Sequence, residues 1–94
     1  MASLMTEEEC TAGLGNLPQW RREGQCLVRV TKRASFMEGI DLVRQVAELA
    51  EARDHHPDID IRWRTLTFGL TTHSAGGLTQ KDFDLAREIE DLLT

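Results

Sequence analysis

The sequence predicts an α+β domain: a four-stranded antiparallel sheet with three helices packed on one face. Three observations predict it. Segments with helical apolar spacing open behind Thr or Ser caps at residues 6, 35 and 79. Segments with strand-like alternation come in hairpin-sized pairs before and after the central helix. The resulting order is helix, strand, strand, helix, strand, strand, helix, which favours an antiparallel sheet covered on one side. The 94 residues suffice for one compact domain and not for two, so residues 1–94 are read as a single unit.

Thr6 followed by Glu7, Glu8 and Glu9 marks the first helix start, since acidic side chains favour a first turn. The stretch GLGNLPQW (13–20) breaks that helix, and Trp20 begins an extended piece. A turn around Gly24 leads into CLVRV (26–30). There Cys26, Val28 and Val30 share one face and Leu27 and Arg29 the other, with Cys26 expected as a small core residue. Ser35 and Glu38 form a capping-box pattern. Phe36, Ile40, Val43, Ala47 and Ala50 then recur at helical spacing, and Leu42, Val46 and Leu49 widen the apolar face. Pro57 ends the helix and leaves His56 extended. Ile59, Ile61 and Trp63 alternate with Asp58, Asp60 and Arg62, a half-buried strand with Trp63 expected in the core. In TLTFGLTTH (65–73), Leu66, Phe68 and Leu70 face one side and Thr65, Thr67, Thr71 and His73 the other. SAGGLT is a loop. Thr79 and Asp82 form another capping box ahead of a helix built on Phe83, Leu85, Ala86, Ile89, Leu92 and Leu93.

Composition narrows the function. A net charge of −5 argues against binding nucleic acid through its phosphates. Two cysteines without a CxxC spacing predict reduced thiols, with no disulfide framework. MASLMTEEEC has neither a basic segment nor an apolar one, so no secretory signal is expected. No apolar run approaches the roughly 20 residues of a membrane helix. The expected location is the cytoplasm.

His55, His56 and His73 are the only histidines. Histidine is the side chain whose ordinary titration falls near neutrality. Glu51, Asp54, Asp58 and Asp82 supply carboxylates around them. A carboxylate can hold one ring nitrogen and leave the other free to move a proton. Taken alone, His-His-Pro reads as cations at a helix C-terminus. Three histidines could also ligate zinc. Adjacent extended residues, however, point to opposite faces, so both binding one ion is awkward and no metal is expected. No cofactor is expected.

The run EARDHHP (51–57), Trp63, TTH (71–73) and GGLTQKD (76–82) resembles the pterin-4a-carbinolamine dehydratases. In that family an acidic residue precedes His-His-Pro, and an aromatic, a histidine and an aspartate follow at set distances. Glu51, His55, His56, Pro57, Trp63, His73 and Asp82 fill every position. LPQW, Phe36, VAELAE and LAREIE also fit. Departures are Arg33 and Ala34 where another aromatic is common, Gly69 within a strand, and Trp63 for the usual Tyr or Phe.

The resemblance implies a lyase that removes water from 4a-hydroxytetrahydrobiopterin to give the quinonoid dihydropterin. This recycles the cofactor spent by aromatic amino-acid hydroxylases. It implies that His55 and His73 move protons and that His56 binds the departing hydroxyl. Glu51, Asp54, Pro57, Thr71, Thr72 and Asp82 would hold or orient the substrate. It also implies an alternative, a non-catalytic protein-binding role. Relatives act as a dimerisation cofactor for a transcription factor or assist Rubisco assembly. Retention of all three histidines favours the enzyme. The wide apolar face of the 35–53 helix predicts a homodimer or homotetramer.

Overall fold

The computed structural model describes residues 3–94. The stretch read for a targeting signal begins in residues 1 and 2, outside the described residues. The elements are α1 (Glu7–Gly15), β1 (Arg21–Glu23), β2 (Cys26–Lys32), α2 (Phe36–Arg53), β3 (Asp58–Arg62), β4 (Thr65–Leu70), a one-turn 3-10 helix (His73–Ala75) and α3 (Gln80–Leu93). The sheet runs β1-β2-β4-β3, with every neighbouring pair antiparallel. This is the α+β architecture expected, with the 3-10 turn added.

The caps act as their sequences suggest. Thr6 and Glu9 close a reciprocal box at α1, and Thr79 and Asp82 close one at α3. At α2 the Ser35 hydroxyl accepts from the Glu38 amide at 3.1 Å. The core lies between the helices and one face of the sheet. Leu27 sits opposite Leu70 across β2 and β4, with Leu66 and Phe68 on the same face, and all four are fully buried. Leu42, Val46 and Ala50 from α2 and Phe83, Leu85, Ala86 and Ile89 from α3 complete it.

Four expectations are corrected. Cys26 is only half-buried and lies on the face of β2 opposite Leu27; the core thiol is Cys10 on α1. Trp63 is not in the core. Arg62 pairs with Thr65, so the hairpin closes one residue early and Trp63 stands in the turn, 70% exposed, with φ +53°. Phe36 is exposed because the sheet covers only the Gly39–Leu42–Val46–Ala50 stripe of α2. β4 stops at Leu70, so His73 belongs to the 3-10 turn and not to a strand. Thr72 and Gly77 exchange backbone hydrogen bonds at 3.1 and 3.3 Å and pinch that turn off from the sheet.

Candidate active site

The end of α2 decides where its histidines go. The helix stops at Arg53, four residues before Pro57. Asp54 turns left-handed at φ 49°. Its amide donates to the Glu51 carbonyl at 3.2 Å, and the His55 amide reaches back to the Ala50 carbonyl at 3.0 Å. This pair of reversed bonds is the Schellman arrangement. It folds His55 back against the last turn of α2, where it is 9% exposed. Pro57 keeps His56 extended, and His56 is exposed.

Each of these histidines meets a carboxylate. His55 Nε2 lies 2.6 Å from Asp82 Oδ1 in a buried pair. His56 Nε2 lies 2.5 Å from Glu51 Oε2 at the surface, one turn back along α2. Asp82 is fully buried in the first turn of α3. Its second oxygen, Oδ2, accepts from the Thr79 amide at 2.9 Å and from the Thr72 hydroxyl at 2.8 Å. The capping box of α3 therefore serves two purposes: one carboxylate oxygen caps the helix and the other faces His55.

His73 is exposed, and among the described residues its ring makes no hydrogen bond. It follows Thr72 directly, so it shares an end of the sheet with the start of β3, the C-terminus of α2 and the N-terminus of α3. Thr71 is half-buried, Asp54 is exposed and Pro57 is half-buried. The sequence reading did not count Thr79 among the site residues. Its signal was present in the Thr79–Asp82 cap spacing, which reads as helix chemistry alone. Two open clefts, of about 300 Å³ between α1 and α3 and about 250 Å³ between α2 and α3, contain no histidine. Among the described residues, no three His, Cys, Asp or Glu side chains converge as a metal would require, and no helix is long and apolar enough to cross a membrane.

Fold and site together define a class: a small α+β domain with histidine–carboxylate pairs at one end of its sheet, equipped for proton transfer. The family described as pterin 4 alpha carbinolamine dehydratase matches residues 3–92. A protein from Mycolicibacterium smegmatis named "Putative pterin-4-alpha-carbinolamine dehydratase" is 52% identical over 92 residues, covering 98% of each chain. A protein of the same name from Mycobacterium avium is 54% identical over 91 residues, covering 97% of each. The crystal structure of a transcriptional coactivator/pterin dehydratase from Brucella melitensis superposes with a TM-score of 0.89 at 29% identity, covering 93% of this chain and 95% of that one. The chain belongs to the pterin-4a-carbinolamine dehydratase family.

Proposed function

We propose that this protein dehydrates 4a-hydroxytetrahydrobiopterin to the quinonoid dihydropterin, by histidine acid–base catalysis. The observation that carries the reading is the His55–Asp82 pair, a nearly buried imidazole backed by a fully buried carboxylate. Loss of the C4a hydroxyl needs a proton delivered to the departing oxygen. Loss of the ring N–H needs a base. His55 and His73 fill these roles, and His56, steadied by Glu51, binds the departing hydroxyl. Glu51, Asp54, Pro57 and Thr71 lie at the same end of the sheet and supply the substrate contacts. Both cysteines are free thiols, which suits action in the reducing cytoplasm.

The test is stopped-flow dehydration of freshly generated 4a-hydroxytetrahydropterin. His73→Ala lowers kcat/KM at least about tenfold, the lower end of what a lost proton-transfer group costs. The double variant His55→Ala/His56→Ala abolishes turnover above buffer. Wild-type protein no faster than buffer would overturn the enzyme reading. A protein-binding role is the second reading, favoured by the exposed apolar side chains at the opposite end of the molecule, Phe36, Met37, Ile61 and Trp63.

A further inference from the structure

We propose that Thr72 and Thr79 are positioning residues, a buried hydroxyl relay that fixes Asp82 so that His55 keeps its proton on Nε2 and presents Nδ1 to substrate. The inference rests on the dehydratase reading for its kinetics, but not for its account of the histidine.

The donors determine the direction. Asp82 Oδ2 receives the Thr79 amide, which can only donate, and the Thr72 hydroxyl at 2.8 Å. Thr72 has one proton and gives it to Asp82. In the 2.8 Å contact between the two threonine hydroxyls, Thr79 must therefore be the donor. Thr79 Oγ1 in turn accepts from the Lys81 amide at 3.3 Å. The chain of bonds runs one way: Lys81 amide to Thr79, Thr79 to Thr72, Thr72 to Asp82. With Oδ2 occupied by two donors, Oδ1 is the oxygen left to accept from His55, and the imidazole proton sits on Nε2.

The other ring nitrogen is accessible. Among the described residues Nδ1 has no partner. Among the described residues Arg64 Nε is the one buried side-chain nitrogen or oxygen without a partner, so His55 Nδ1 is not sealed from solvent. A nearly buried ring with one nitrogen held and one open is built to exchange a proton at the open one.

Thr72 also anchors the third histidine. Its carbonyl accepts from the Ala75 and Gly76 amides, both at 3.0 Å, and its amide donates to the Gly77 carbonyl. The residue whose side chain sets Asp82 thus starts the turn that carries His73. Thr72 and Thr79 are 3% and 1% exposed, so they act through Asp82 and not by touching substrate.

The experiment combines tautomer-resolved ¹⁵N NMR of histidine-labelled protein, above the histidine titration range, with dehydration kinetics. Wild-type His55 is expected as a single tautomer protonated at Nε2. Thr72→Val and Thr79→Val are expected to mix the tautomers and to lower kcat on the order of tenfold with KM within about twofold, as loss of an outer-shell partner does. Thr72→Ser, which keeps the hydroxyl, is expected to restore both. Wild-type His55 protonated at Nδ1 would overturn the proposal. So would valine variants that keep one tautomer and wild-type kcat, or a serine variant that behaves like valine. If a valine variant does not fold, the wild-type tautomer and Thr72→Ser decide. If wild type shows no dehydration, the enzyme reading fails and the tautomer result still stands on its own.

Discussion

Glu90 on α3 collects donors from two distant parts of the chain. Its Oε1 accepts from Trp20 Nε1 and from Arg29 Nε, each at 2.8 Å, in a mostly buried setting. The Arg29 guanidinium, helped by the Trp20 indole, holds the Glu90 carboxyl below its ordinary 4.5 despite burial. A carboxyl lowered on folding stabilises the native state above its unfolded value, and that contribution disappears as pH falls through the folded value. Glu90→Gln should therefore cost about 1–3 kcal/mol at neutral pH. The difference from wild type should shrink as pH drops below the ordinary carboxylate value, as urea unfolding at neutral and acid pH would show. A gap that stays constant with pH would mean that the charge contributes nothing. Nothing in the sequence pairs Arg29 with Glu90, because only the fold brings β2 onto α3. The catalytic candidates were more legible. Glu51 and His56 meet one helical turn apart, and Asp82 faces His55 at the family's own spacing. Thr79 was hidden, and Thr72 was legible only as a substrate contact, because a buried hydroxyl that links a carboxylate to a second hydroxyl looks, in sequence, like strand propensity or a helix cap.

At the scale of elements, the same substitution should act with opposite sign in two helices. Gly39 lies inside α2, and a Cβ there would meet Leu66 at 3.6 Å, an ordinary contact. Gly39→Ala should stabilise the protein by up to about 1 kcal/mol, the usual advantage of Ala inside a helix. Gly13 lies in α1, where a Cβ would come within 2.5 Å of the Phe83 ring. Gly13→Ala should destabilise by about 1–3 kcal/mol through overpacking, although the helix gains the same propensity. Thermal melting of the two variants separates packing from propensity, and equal shifts would refute the assignment. Sequence alone gave both glycines the same meaning, a mild helix cost or a break, because the neighbour that decides belongs to another element. The element order and the caps were legible because each is written locally, in apolar period and in Thr or Ser spacing. The 3-10 turn at His73 was not. It depends on the bridge between Thr72 and Gly77, which strand alternation through TLTFGLTTH conceals.

At the scale of the molecule, the end opposite the histidines is incompletely covered. Phe36, Met37, Ile61 and Trp63 are 45%, 62%, 41% and 70% exposed. Trp63 also stands at φ +53°, which costs a non-glycine residue about 1–3 kcal/mol. The Arg64 guanidinium lies over its ring, 4.3 Å from the centre. Beside this patch runs β3, an edge strand with one row of backbone groups unpaired. A second copy fits both features. Antiparallel pairing of β3 with itself about Ile61 would set Asp60 of each copy opposite Arg62 of the other and bring the two Ile61 side chains together. Opposite charges and apolar pairs are the cross-strand contacts that stabilise a sheet. We therefore expect the protein to associate with itself in solution. Ile61→Lys places two ammonium groups at the centre of that pairing and should yield monomers with the fold intact. Analytical ultracentrifugation of wild type and variant at the same concentration is the measurement. A wild type that is monomeric, or a variant that keeps the wild-type mass, would rule out this edge, and the exposed tryptophan would then mark the docking site of a different protein.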